Sequence, residues 1–188
     1  MRKIIVGISG ASGAIYGIRL LEALKPLEGI ETHLVISPSA GWTIAEETDY
    51  KVDDVRALAD VVYSHRDIGA AISSGSFRTD GMIVAPCSIK SLSGIVNSYD
   101  DNLLTRAADV CLKERRPLIL MVRETPLHLG HLELLMRAAQ YGAIILPPAP
   151  AFYSHPQSID DIVNHSVGKA LDQLNVPHAL FKRWKEDA

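Results

Sequence analysis

The sequence predicts a single three-layer α/β domain, a doubly wound parallel sheet with helices on both faces. Two observations carry this expectation. Apolar runs of strand length recur at residues 3–8, 32–37, 81–86, 117–122 and 142–146. Longer amphipathic segments separate them, at 13–25, 39–48, 52–60, 91–112, 128–141 and 157–174. Uninterrupted apolar strands alternating with helices are the signature of parallel strands covered on both faces. No repeat, linker or low-complexity segment divides the chain, and 188 residues suit one core, so residues 1–188 are expected to form one domain.

The first element is the most informative. The strand Ile4-Ile5-Val6-Gly7-Ile8 enters the turn Ser9-Gly10-Ala11-Ser12-Gly13, and an amphipathic stretch follows at once. That stretch places Ile15, Ile18, Leu21 and Leu24 on one side, with Arg19, Glu22 and Lys25 elsewhere. Glycines let the chain turn sharply and let a ligand approach the main chain. The N–H groups of the helix's first turn then point at an anion, usually a phosphate. The hydroxyls of Ser9 and Ser12 are read as further phosphate donors. A turn whose glycines serve only close helix–strand packing is the alternative. The dinucleotide fingerprint would need glycine where Ile8 stands, and no Gly-Lys-Ser/Thr follows for a nucleoside-triphosphate loop.

In doubly wound sheets ligands sit beyond the carboxyl ends of the strands. The second strand ends in Ser37-Pro38-Ser39, where a hydroxyl can cap the next helix. The third leads into Pro86-Cys87-Ser88-Ile89-Lys90-Ser91, a second small-polar turn that opens a helix. Arg123-Glu124-Thr125-Pro126 follows the fourth, and the proline-rich run from Pro147 to Tyr153 follows the fifth. Three hydroxyl-rich turns and an Arg-Glu pair on one edge suit a ligand with a phosphate and a polar ring. The last helix carries a buried stripe from Ile159 to Leu174, with Ser158 as its N-cap. Its Asp161, His165 and Lys169 read as a solvated face with helix ion pairs.

Composition excludes several classes. A net charge of −3 without a basic tract gives no nucleic-acid surface. The apolar runs are too short to span a membrane, and Gly7 interrupts the first one too early for a signal peptide. Cys87 and Cys111 lie far apart, without metal or redox spacing, so a reducing cytoplasm is expected. Cys87 reads as a buried structural thiol. His128 and His131 read as surface or interface packing, and Lys113-Glu114-Arg115-Arg116 as a helix C-terminus.

Five motifs in order resemble one family. Gly7-Ile8-Ser9-Gly10-Ala11-Ser12-Gly13, Pro86-Cys87-Ser88, Lys113-Glu114-Arg115-Arg116-Pro117-Leu118, Arg123-Glu124-Thr125-Pro126-Leu127 and Pro150-Ala151-Phe152-Tyr153 look like flavin prenyltransferases of the UbiX type, some formerly labelled aromatic-acid decarboxylases. The likeness spans Lys3 to Trp184. It implies a Rossmann-like (flavodoxin-like) flavoprotein, assembled as a homododecamer in the cytoplasm. The implied reaction moves a dimethylallyl group from dimethylallyl phosphate to N5 and C6 of reduced FMN, without a metal. The prenylated FMN then serves a UbiD-type decarboxylase.

The family pattern implies that FMN lies against Gly10, Ala11 and Ser12, with Ser37 on the ribityl side. It adds Ser88, Ile89, Lys90 and Ser91 as a second flavin segment, and Arg123 as a flavin contact. Tyr153, Lys169 and Arg106 are implied for the prenyl phosphate, and Glu124, Lys113 and Glu47 for the chemistry. Many members carry arginine at the position of Lys169, and lysine loses arginine's bidentate fork. Two other readings stand beside this one: an FMN-dependent decarboxylase acting directly on a small or aromatic acid, and a non-enzymatic FMN-binding regulator. The cysteine-decarboxylating kind would need a histidine in the first helix region, which reads Gly13-Ala14-Ile15-Tyr16.

Overall fold

The strands of the computed structural model are β1 Arg2–Ile8, β2 Ile30–Ile36, β3 Val61–Tyr63, β4 Gly81–Cys87, β5 Leu118–Val122 and β6 Ile144–Ile145. The structure describes residues 1–184. All strand pairs are parallel, in the order β3-β2-β1-β4-β5-β6. This is the strand order of the doubly wound Rossmann fold, and its switch point lies between β1 and β4. The helices are α1 Ala14–Leu24, α2 Pro38–Glu47, α3 Val52–Arg56, α4 Ile89–Val96, α5 Leu103–Lys113, α6 Leu129–Gln140 and α7 Ile159–Asp172. Among the described residues no helix is long and apolar enough to cross a membrane.

Side chains alternate faces along a strand, so β1 feeds two cores. Ile4, Val6 and Ile8 pack with Ile18, Leu21 and Val167, under the layer of α1, α2, α3 and α7. Ile5 joins Met82, Val84, Leu92, Leu104 and Ala138, under α4, α5 and α6. Gly17 brings α1 onto the sheet: a Cβ there would lie 2.3 Å from the Ala85 carbonyl oxygen. Gly17, one turn into the helix, thus shares the close-packing role considered for the turn glycines.

Three expectations are corrected. The segment 91–112 is two helices, because residues 97–102 interrupt it. Ser98 adopts a left-handed backbone at φ 49°, and the Asn102 side chain accepts from Thr105 N at 3.0 Å to start α5. β3 is an additional edge strand, with only three residues to pair against His33–Val35 of β2. The last strand spans only Ile144–Ile145 of the expected 142–146.

His33 in β2 is buried, with 1% of its surface exposed. Its Nε2 lies 2.8 Å from Glu31 Oε1 and its Nδ1 3.0 Å from Tyr63 Oη. A carboxylate only accepts, which puts the ring proton on Nε2 and leaves Nδ1 to accept from the tyrosine. Burial lowers the His33 pKa below its ordinary 6.5, against an opposing pull from Glu31. The unfolded chain therefore binds more protons than the fold below that pH. His33 contributes full stability above pH 6.5, loses it as pH falls below that value, and levels off below the folded pKa. Urea unfolding between about pH 8 and about pH 5 is expected to show this decline, reduced in His33→Gln. Equal pH slopes in the two proteins would contradict it.

Candidate functional site

The site begins where β1 and β4 diverge. Ser9 is buried there, and its hydroxyl donates to the Pro86 carbonyl at 2.8 Å while accepting from Ser88 N at 2.7 Å. Ser9 thus joins two strand ends, and the phosphate-donor role expected of its hydroxyl is corrected. Ser12 remains exposed on the turn. Gly10 is required by a neighbour, because a Cβ would sit 2.3 Å from Ser39 Oγ. Ala11 is buried beside it.

A cleft of about 740 Å³ opens beyond β2 and β4. Three helix N-termini border it. Ser37 caps α2 by accepting from Ala40 N at 3.1 Å, and Ser88 caps α4 by accepting from Ser91 N at 3.2 Å. Asn102 caps α5. Ser39, His65, Lys90, Ser91 and the acidic Asp101 are among its other polar lining residues, while Ile89 packs against the core. The positive ends of three helices with Lys90 attract an anion, and the hydroxyls suit a polyol. The volume lies within the roughly 300–1,000 Å³ of small-molecule sites. A flavin mononucleotide fits this donor set, with phosphate and ribityl groups in the cleft. Sequence reading missed His65 and Asn102. Burial lowers the His65 pKa, with Asp101 opposing and Lys90 and Arg66 assisting. The cap sequence Asn102-Leu103-Leu104-Thr105 was the available signal for Asn102.

Arg123 stands at the end of β5, whose backbone N–H donates to the Cys87 carbonyl at 3.1 Å. Burial raises the pKa of Tyr16 in the first turn of α1, and the charge of Arg123 opposes that rise. Glu124 is exposed beside it, accepting from Thr125 N at 3.0 Å. Glu47, at the end of α2, lies on the start of α1: its Oε2 accepts from Gly13 N at 2.7 Å and from Ala14 N at 3.2 Å. The anion at this helix start is therefore a carboxylate, whereas the N-termini of α2, α4 and α5 border the cleft.

The remaining expected residues lie elsewhere in the chain. α5 runs from Asn102 at the cleft to Lys113 at the opposite edge of the sheet. There Lys113 pairs with Glu114, and Arg116 of the following turn donates to the Phe77 carbonyl. Arg106 is engaged midway, donating to the Ser73 carbonyl at 3.1 Å and pairing with Asp100 and Asp109 at 3.2 Å each. Tyr153 and Lys169 lie by the outer face of α7. Tyr153 Oη is 3.1 Å from His165 Nε2, and Lys169 Nζ is 3.7 Å from Asp172 Oδ2. The solvated face expected along α7 holds at the exposed Asp161 and Lys169, with Lys169 in a helix ion pair with Asp172, whereas His165 turns to Tyr153 and Phe181. Asp161 is used in the N-terminal capping box with Ser158.

Cys87 and Cys111 are buried, and burial pushes each thiol up to about 12. Neither supplies a thiolate at neutral pH. The rings of His128 and His131 lie 3.6 Å apart, tilted by 32°. Among the described residues no three His, Cys, Asp or Glu side chains gather as a metal site. Removing the Glu47 carboxylate leaves two N–H groups of α1 without their acceptor. Glu47→Ala is expected to cost about 1 kcal/mol in urea unfolding at neutral pH. An unchanged midpoint would mean that water serves those groups equally well.

The chain is similar to known flavoproteins over nearly its whole length. Residues 1–171 match the Flavoprotein family model. Over 98% of its length the chain is 62% identical to the flavin prenyltransferase UbiX of Escherichia coli, spanning 99% of that protein. The crystal structure of AnUbiX in complex with FMN and dimethylallyl pyrophosphate superposes with a TM-score of 0.95. It is 50% identical, with 97% of each chain covered. A dodecameric FMN-dependent UbiX-like decarboxylase from Escherichia coli also gives 0.95, at 52% identity over 97% of this chain and 98% of that one. The chain belongs to the Flavoprotein family and, within it, to the flavin prenyltransferases of the UbiX type.

Proposed function

We propose that this chain transfers a dimethylallyl group from dimethylallyl phosphate to reduced FMN, forming the prenylated cofactor of a UbiD-type decarboxylase. The observation that carries the reading is the cleft of three helix N-termini, with the exposed Arg123-Glu124 pair on the same sheet edge. The reading treats residues 1–188 as one FMN-binding domain. Gly10, Ala11, Ser12, Ser37, Ser88, Ile89, Lys90, Ser91 and Arg123 are its flavin contacts.

Reduced FMN supplies the electron-rich N5 and C6 positions that accept the prenyl group. Breaking the allylic C–O bond leaves negative charge on the departing phosphate. Lys169, Arg106 and Lys113 supply fixed positive charge for it, and Tyr153 adds a hydroxyl donor. Glu124 is positioned to take the proton released when the new ring closes. Glu47 holds the start of α1 against the turn that faces the flavin.

Within one chain these groups occupy three separate places, so the reading requires neighbouring copies to bring them together. Exposed apolar side chains support such assembly: Leu129, Leu132 and Met136 form a stripe on α6, and Phe152 and Ile159 flank the start of α7. We infer a homododecamer, the assembly named for the Escherichia coli relative. Its two free, buried cysteines support a place in the cytoplasm.

Anaerobic incubation with reduced FMN and dimethylallyl phosphate, followed by mass measurement of the extracted flavin, tests the reading. The flavin is expected to gain one prenyl group. Direct decarboxylation of an aromatic acid with unmodified flavin would overturn it. Glu124→Gln is expected to keep FMN affinity while slowing prenylated-flavin formation by roughly 10²–10⁴-fold. A wild-type rate in that variant would remove Glu124 from the proton transfer.

A further inference from the structure

The segment after α7 folds back along that helix, held by two separate devices. The first is charge. Asp172 Oδ1 accepts from Arg183 Nη2 at 2.7 Å and from His178 Nε2 at 3.1 Å, and its Oδ2 accepts from Arg183 Nη1 at 3.1 Å. Arg183 therefore grips the carboxylate with both prongs of its fork. Hydrogen bonds from Arg183 above all, then His178, hold the Asp172 carboxyl below the usual carboxylate range, so it stays ionised at neutral pH. The second device is space. A Cβ at Gly168 would lie 2.5 Å from Phe181 Cε1 and 2.7 Å from His178 Cε1, so the bare glycine receives both rings.

The returning segment then meets the pair assigned to the allylic phosphate. The Phe181 ring lies 4.6 Å from that of His165, and the Trp184 ring stands edge-on to Tyr153 at 5.3 Å. His165 in turn reaches Tyr153 Oη. Asp172 also touches the other member of the pair directly, through Lys169 Nζ at 3.7 Å. Lysine is a point charge on a flexible stem, so its placement must be imposed by neighbours where arginine would bring its own planar fork.

We propose that Asp172 is a positioning residue for the prenyl phosphate: it sets Lys169 directly, and sets Tyr153 through the folded-back segment of residues 177–184. The proposal rests on the reading that Tyr153 and Lys169 receive that phosphate. Two independent changes address it. Asp172→Asn keeps the side-chain shape and removes the charge, whereas Gly168→Ala crowds the Phe181 and His178 rings and leaves the Asp172, Lys169 and Arg183 charges in the chain.

The test uses the assembled, FMN-loaded protein, with Trp42→Phe as background so that emission reports Trp184. Titration of dimethylallyl phosphate against oxidised flavin reads binding without turnover, and reduced flavin then gives KM and kcat. Loss of a charge-assisted contact predicts binding weakened about tenfold in Asp172→Asn, and displacement of the segment that sets Tyr153 predicts a loss of the same order in Gly168→Ala. KM should rise by the same factor while kcat and FMN affinity stay within about twofold. Trp184 emission should move to longer wavelength as its ring leaves Tyr153. Asp172→Glu should restore part of the affinity. Variants that bind as tightly as the parent despite shifted Trp184 emission would overturn the proposal. A fall in kcat alone would also overturn it. A parent protein that binds dimethylallyl phosphate but never prenylates the flavin would defeat the functional reading and leave the clamp standing.

Discussion

The buried hydroxyl of Ser9 ties β1 to β4 at the point where their ladder has run out. Paired residues end at Gly7 and Val84, and the β4–β5 register becomes irregular between Val84 and Cys87. Beyond that point, the Ser9 backbone N–H and hydroxyl both donate to the Pro86 carbonyl, and the hydroxyl accepts from Ser88 N. A neutral hydrogen bond adds only about 1 kcal/mol net, but leaving its buried partners unpaired costs roughly 1–3 kcal/mol each. The turn that starts α1 and the cap that starts α4 therefore share one frame. Arg123 N extends that frame to β5 through the Cys87 carbonyl, and Gly17 presses α1 against the Ala85 carbonyl.

Two kinds of chemistry are separated on this frame. The cleft is built mainly from helix N-termini and hydroxyls at strand ends, with Lys90, His65, Asp101 and Asn102 beside them. The cations proposed for the leaving phosphate sit on the outer parts of α5 and α7, each beside its own carboxylate. Lys113 pairs with Glu114, Arg106 with Asp100 and Asp109, and Lys169 with Asp172. Gathering such charges in one pocket before an anion arrives would cost mutual repulsion. In the proposed assembly such charges would lie on helices of neighbouring copies, each balanced locally, which avoids that cost until the phosphate is present.

The fold was largely legible because β1, β4 and β5 are buried on both faces and read as continuous apolar runs. β3 escaped because three edge residues give no periodicity. The break inside 91–112 escaped because Leu103, Leu104 and Ala107 continue an apolar pattern across it. The strand-end residues of the site were legible, since Ser37, Ser88 and Arg123 follow directly from strands. What could not be read was the partner of each group. Ser9 looks like a phosphate donor until Pro86 and Ser88 meet it, and Glu47 lies 34 positions from the Gly13 N–H it serves. The separation of Lys113 from Glu124, only 11 positions apart in sequence, follows from α5 and β5 running in opposite directions along the sheet.

Cys87 lies directly behind the cleft, on the strand whose next residue caps α4. A reduced flavin that meets dioxygen yields peroxide, which attacks sulfur as the thiolate. With its thiol pushed up to about 12 by burial, Cys87 exposes almost no thiolate at neutral pH. Burial thus makes the sulfur nearest the cleft chemically silent toward the oxidant most readily produced beside it. The wall behind the cleft can remain a thiol when peroxide forms nearby, without a reductant to repair it.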